Sequence, residues 1–299
     1  GAAGMDWKGR GRLVHSALTS AAKQSQAPLR AWLAARKVKH QAFWAVNTIQ
    51  VTADAATIAE IAARPDVARI RDGFRLQIPE PEPGKLQQAV DAVEWNIAAI
   101  RAPEAWAEFG TRGEDVVIGT IDTGAEFDHP ALRGAYRGRQ DDGTVVHDYS
   151  WHDPSFVCGA PSLAPCDNAG HGTHTMGTIV GDDGGDNQIG VAPGARWITA
   201  KGCEDFGCSD TALLSSAQWM LAPTDLNGEN PRPELRPQIV SNSWGGGGGD
   251  TWYQELVQAW VAAGIFPVFS NGNSGDACGS SGSPGDYPES YSVGAFDQS

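Results

Sequence analysis

Asp122, His171 and Asn273 each stand where an apolar run or a small-residue helix meets a turn. Their side chains could move a proton or stabilise a developing oxyanion. Asp122 lies in Ile-Asp-Thr-Gly at 121–124, at the end of a β-branched run, with Gly124 free to turn the chain. Standing alone, such an aspartate is most simply a turn or capping residue. Asp128 and His129 follow in the same loop and add little by themselves. His171 opens His-Gly-Thr-His at 171–174. In a first helical turn an imidazole feels the positive end of the dipole, which disfavours its protonated form and leaves it able to accept a proton near neutrality. A structural histidine is one competing reading. A metal site is another, since His171 and His174 share a helix face, but no third ligand stands at clear metal spacing. Asn273 lies in Asn-Gly-Asn-Ser-Gly at 271–275, directly after a buried strand. Its amide could donate to an oxyanion or simply form a turn. Ser243, Trp244 and Gly245 belong to Ser-Asn-Ser-Trp-Gly at 241–245. This strand end runs into glycines, so an extended peptide could add against its exposed backbone; a flexible glycine loop is the plainer reading.

Positioning these groups requires a frame, and the second part of the chain supplies one. Residues 116–121, 196–201, 239–244, 265–270 and 291–295 read as strands. Residues 171–180 have helix length. Ser209 or Asp210 can cap a helix over 211–221, and Asp250 can cap one that runs to about residue 263 and stops at Gly264. The alternation predicts an α/β fold, a parallel sheet with helices on both faces, with reactive groups at the carboxyl ends of strands. The first part differs. It predicts one or two helices over 13–36 with a break near Pro28, a strand over 43–51, a helix from Asp54 to about residue 63 and a strand over 67–71. That is a small α+β domain. Between the parts, Pro-Glu-Pro-Glu-Pro-Gly at 79–84 can continue neither a helix nor a central strand, and predicts a linker. The expected division is residues 1–80, a linker at 81–90, and 91–299.

Charge changes at the same place. Residues 1–85 carry 13 Lys and Arg against 7 Asp and Glu; residues 86–299 carry 9 against 29, for a total of −14. The basic part is rich in Ala, Leu, Ile and Val, so it reads as a foldable domain docked on an acidic one rather than as a nucleic-acid or membrane arm. No run of 18 apolar residues occurs, so no membrane span is expected. All five Cys follow residue 157. Cys158 with Cys166, and Cys203 with Cys208, sit in loops that suit short disulfides formed in an oxidising compartment. A zinc site would want CxxC or histidines at matching spacing, which are absent. Cys278 is left over.

Order and context raise these separate signals to a pattern. The motifs Val-Ile-Gly-Thr-Ile-Asp-Thr-Gly (117–124), Gly-His-Gly-Thr-His-Thr-Met-Gly-Thr (170–178), Ile-Gly-Val-Ala-Pro-Gly-Ala (189–195), Ser-Asn-Ser-Trp-Gly-Gly (241–246) and Ser-Asn-Gly-Asn-Ser-Gly (270–275) succeed one another over about 160 residues. From about residue 86 the chain resembles the catalytic domain of the subtilisin-like (subtilase) family, in its bacillopeptidase F-like bacterial branch. Residues 1–80 resemble the family's inhibitory prosegment more loosely.

The resemblance implies a serine endopeptidase acting on protein or peptide substrates. Asp122 would orient the histidine, His171 would serve as general base and then acid, and Asn273 would line the oxyanion hole. Ser243, Trp244 and Gly245 would bind the substrate backbone and wall the S1 pocket, with Gly282 near its base. The prosegment would act as chaperone and intramolecular inhibitor, released by a cut within about 78–93, and its segment 1–11 lacks the opening strand usual in the family. A secreted monomer is implied, with no nucleic-acid or membrane partner and no required cofactor. The family's nucleophile sits in a Gly-Thr-Ser-Met-Ala-type turn, and no Gly-Thr-Ser occurs in residues 1–299. The expectation is therefore a chain that stops short of its serine and does not hydrolyse peptides. A structural calcium is possible, though Ala131 stands where many subtilases place an aspartate ligand. Asp182, Asp183 and Asp186 offer oxygen ligands, or a solvated acidic turn. The stretch between Asp122 and His171 is longer than in compact members, which predicts a disulfide-pinned surface loop. A non-catalytic peptide-binding member and a free inhibitor domain are the rival readings.

Overall fold

The computed structural model describes residues 2–78 and 92–296. The linker expected at 79–84 and the processing region at 81–90 lie outside the described residues.

Among the described residues, ten strands and seven α-helices follow in chain order. The first part contains α1 (Trp7–Ala35), β1 (Lys39–Phe43), β2 (Thr48–Thr52), α2 (Ala55–Ala62) and β3 (Arg75–Gln77). The second contains α3 (Trp95–Ala99), α4 (Ala102–Phe109), β4 (Val117–Asp122), β5 (Trp151–His152), α5 (His171–Val180), β6 (Arg196–Lys201) and β7 (Gly207–Ser209). It continues with α6 (Asp210–Leu221), β8 (Ile239–Asn242), α7 (Gln254–Ala263), β9 (Phe266–Ser270) and β10 (Tyr291–Val293).

Six of these strands form one sheet in the order β10-β9-β8-β4-β6-β5, every neighbouring pair parallel. Alternation along the strands fills both faces. Ile121, Ile198 and Ala200 point into one apolar cluster with Leu213 of α6 and Trp260 of α7. Ile118 and Trp197 point into the other with Met176 and Val180 of α5. Side chains of period two thus meet helices on both sides, which is the α/β arrangement the sequence predicts.

The first part departs from its expectation in three ways. α1 runs unbroken through Pro28. The stretch 43–51 is not one strand: β1 and β2 form an antiparallel hairpin pairing Phe43 with Thr48. The apolar run straddles the turn, so its composition alone hid the reversal. Residues 67–71 form no strand; the extended segment is β3, a few residues later. In the second part Ser209 is the cap of α6, accepting from Ala212 N–H at 3.2 Å. Asp250 instead accepts from Trp252 N–H at 3.1 Å ahead of α7, whose first residue is Gln254. The short helices α3 and α4 were not foreseen.

α1 lies against α7 and the segment at 233–235, and the β1 edge lies near α6. Arg236, 1 % exposed, is the pin of this contact. It donates to the carbonyls of Pro233, Ala263 and Trp7, and its guanidinium stacks 3.6 Å from the centre of the Trp7 ring. Arg10 reaches the carbonyls of Val261 and Ala262 at 2.6 and 2.8 Å. Arg71 pairs with Asp250 at 3.2 Å. Basic residues of the first part thus meet carbonyls and carboxylates of the second, as the charge split suggests.

Candidate active site

Because the sheet is parallel, its strands end at one edge. Ile121 of β4 pairs with Asn242 of β8, which pairs with Phe269 of β9. The turns beginning at Thr123, Ser243 and Asn271 therefore leave the sheet side by side.

Asp122, 1 % exposed, closes β4, and His171 is the first residue of α5. Nδ1 of His171 lies 2.6 Å from Oδ1 of Asp122. That oxygen also accepts Thr123 N–H at 2.7 Å, and Oδ2 accepts the Thr175 hydroxyl at 3.3 Å. A carboxylate can only accept, so Nδ1 carries the hydrogen and Nε2 is the acceptor of the neutral ring. Small residues allow this approach. A Cβ on Gly172 would collide with the Gly124 carbonyl and stand 3.2 Å from Cβ of Asp122. Gly124 itself has φ of +105°, and a Cβ there would strike the Cys166 carbonyl.

Two groups that sequence reasoning missed fix the junction. The Thr123 hydroxyl accepts Gly172 N–H at 2.8 Å and donates to Oδ1 of Asp167 at 2.9 Å. Asp167 also accepts Gly170 N–H at 2.8 Å, and its Oδ2 takes both N–H and hydroxyl of Thr173, at 2.8 and 2.6 Å. It caps α5 from three residues ahead of Gly170, satisfying N–H groups that the helix leaves free. An Asp shortly before a Gly-His helix start was the available signal.

Burial pulls the His171 imidazole down, but the hydrogen bond and charge of Asp122, with the charge of Asp167, outweigh it and leave the group above its ordinary value. The helix-start effect expected from sequence is thus overridden by two carboxylates. His174 is exposed. Among the described residues no group of three or more His, Cys, Asp or Glu gathers as a metal site. Asp182 and Asp183 accept N–H groups of Gly184 and Gly185 in their own loop, and Ala131 is buried.

Trp244 is buried and its indole N–H donates to the Ile121 carbonyl at 3.0 Å. Gly246 N–H donates to the Ser283 carbonyl at 2.9 Å. A Cβ on Gly245 would stand 3.1 Å from the same oxygen, and one on Gly282 would collide with the Gly246 carbonyl. Ser243, Trp244 and Gly245 therefore lead into a segment running beside Gly282. Asn273 is exposed in the turn after β9. That turn is held by Asn271, whose Oδ1 accepts the hydroxyls of Ser281 and Ser292 at 2.6 and 3.0 Å. No hydrogen bond of the described residues joins Asn273 to the Asp122–His171 pair.

The same edge holds a strand from the first part of the chain. β3 pairs antiparallel with β7, with Leu76 opposite Cys208. Ile78 N–H donates to the Phe206 carbonyl at 2.7 Å. Leu76 and Ile78 join the larger apolar cluster, and a Leu76 methyl lies 3.2 Å from the Cβ position of Gly246. Arg75 pairs with Asp205 at 2.6 Å and Glu204 at 3.4 Å. The sequence reading expected an extended peptide near Ser243–Gly245. It missed β7, whose first two residues belong to the loop closed by the Cys203–Cys208 disulfide. The second disulfide joins Cys158 and Cys166; Cys278 is free and exposed.

The parallel sheet, the Asp122–His171 contact and the glycine-lined edge make up the frame of the site, and comparison with known proteins gives its family. The profile of the peptidase S8 subtilase family matches residues 113–299, and the chain belongs to that family. It is 40 % identical to bacillopeptidase F of Bacillus subtilis over 95 % of its own length and 21 % of that protein. It is 30 % identical to the intracellular serine protease of Paenibacillus polymyxa, over 71 % of this chain and 58 % of the relative. With subtilisin E of Bacillus subtilis it shares 25 % identity over 88 % of this chain and 59 % of the relative. The chain thus spans about a fifth of the first of these relatives and under two thirds of the others.

Proposed function

We propose that these residues form the Asp–His part of a serine endopeptidase that hydrolyses peptide bonds in proteins, with residues 1–80 as its intramolecular inhibitor. The observation that carries the reading is the 2.6 Å contact between His171 Nδ1 and buried Asp122 at the end of a parallel strand. Asp122 fixes the tautomer, so Nε2 can take a proton from a nucleophile and return it to a leaving amine. Asn273, on the adjoining turn, donates to the oxyanion once substrate is bound; catalytic hydrogen bonds often form only then. Its removal would cost about 10²–10³ in turnover, the range known for the subtilisin asparagine. Ser243, Trp244, Gly245 and Gly282 line the S1 region. This chemistry calls for no cofactor.

The pairing of β3 with β7 supports the inhibitor role. An extended strand that uses main-chain hydrogen bonds and buries alternate side chains, Leu76 and Ile78, occupies the edge as a substrate strand would. Two disulfides suit an oxidising compartment, and secretion is the localisation we favour. Residues 1–299 hold no Gly-Thr-Ser turn, so by themselves they are expected not to hydrolyse peptides.

The test is cleavage of an unfolded protein substrate by the whole gene product. Asp122→Asn is expected to lower turnover about 10⁴-fold, and His171→Ala to abolish detectable cleavage. Full activity in His171→Ala would refute the proposal. An inert gene product that still binds extended peptides at β7 would point to a peptide-binding member of the family.

A further inference from the structure

β6 ends on Lys201 and β4 ends on Asp122, and the two residues are register partners. Lysine is almost never fully buried unless it is paired, yet Lys201 is 0 % exposed. Its ammonium donates to the Thr123 carbonyl and, at 2.5 Å, to Oδ1 of Asn168. Both acceptors are neutral. The balancing charge comes at longer range from four carboxylates: Asp167 in the loop entering α5, Asp153 after β5, Asp122 on β4 and Glu204 after β6. Burial disfavours the charged lysine and leaves it below its ordinary value, and these four carboxylates only partly oppose that effect. His171 is hydrogen-bonded to one of the same carboxylates, Asp122, and feels the charge of another, Asp167. Glu126 borders the group from the β4–β5 connection, accepting Asp167 N–H at 3.3 Å from an exposed position.

We propose that Lys201 is a positioning residue for the Asp122–His171 pair, a buried counter-charge that shares Asp122 and Asp167 with the imidazole and ties the end of β4 to the loop entering α5. The proposal rests on His171 being the general base. Two carboxylates beside one imidazole hold its proton too tightly for a base that must work near neutrality. A fixed cation among them weakens that hold without touching the ring. By bonding Thr123 and Asn168 together, the ammonium also keeps Asp122 and Asp167 at their present spacing.

The test is an NMR titration of His171 in the 1–299 chain, compared with Lys201→Met and Lys201→Arg. Loss of the cation in Lys201→Met is expected to raise the imidazole proton affinity by about tenfold, the order of effect of one nearby buried charge. Lys201→Arg keeps the charge and is expected to titrate close to the parent. A folded Lys201→Met whose His171 midpoint is unchanged or lowered would overturn the proposal. Should Lys201→Met fail to fold, the parent chain is read at Lys201 itself by ¹⁵Nζ. An ammonium signal that persists through the His171 titration and shifts with its midpoint is expected. A neutral amine, or an ammonium indifferent to His171, would overturn the proposal equally. The titration needs no turnover, so it can fail while His171 still serves as the base, and the cleavage test can fail while this coupling stands.

Discussion

His171 shares its surroundings with two carboxylates, and only Asp122 touches it. Its folded-state proton affinity is raised, so protonation favours the folded chain. That contribution is fully present below the ordinary imidazole value of 6.5 and fades as pH rises through the higher folded-state value. Asp122→Asn removes the hydrogen bond to a charge and the charge itself while leaving the ring buried. The His171 midpoint in that variant is expected to fall below that of the parent, and two-dimensional NMR of the imidazole nitrogens checks it. Asp122 and His171 were legible in the sequence because a β-branched run and a small-residue helix deliver them. Thr123 and Lys201 were not, because their roles come from contacts across 33 to 78 residues of chain that no local pattern reports, and Asp167 offered only its place shortly before the Gly-His helix start.

At the scale of elements, the junction between β4 and α5 depends on a loop and not on either regular piece. Asp167 holds the first turn of α5 through Thr173 and Gly170 and reaches back to Thr123. Burial raises its carboxyl, but the hydrogen bonds outweigh that and leave it below its ordinary value of 3.8. Its contribution to stability is therefore present above that value and lost as pH falls through the lower folded-state value. Asp167→Ala is expected to cost about 2–3 kcal/mol, as lost capping and charge-assisted hydrogen bonds, measured as a lower urea midpoint at neutral pH. The strands and helices of the sheet were readable from periodicity, since each buries a defined face. The hairpin at 43–48 was not, because turn and strand there share one apolar composition, and neither were β3, β5 and β7, whose two or three residues are too few to show a period.

The molecule as a whole is two parts joined at a polar pin and an added strand. Gly11 of α1 lies over Arg236; a Cβ there would collide with the guanidinium and stand 2.9 Å from the Pro233 carbonyl. Alanine favours a helix over glycine by about 1 kcal/mol, so Gly11→Ala would strengthen an isolated α1. In the intact chain it is expected to destabilise by about 1–3 kcal/mol, the usual range for overpacking. Urea unfolding followed by tryptophan emission gives the sign. Prolines and charge lead the sequence to expect a division near residue 80, which adjoins residues outside the described ones, whereas the site at which the first and last parts meet was not legible, because Arg236 and β7 carry no motif. The central claim is that His171 activates a serine in the finished enzyme, and covalent labelling by a fluorophosphonate reads that step directly. The whole gene product is expected to label at one serine and to lose that label in His171→Ala, while residues 1–299 alone remain unlabelled. No labelling of the whole product, or labelling that persists in His171→Ala, would contradict the account.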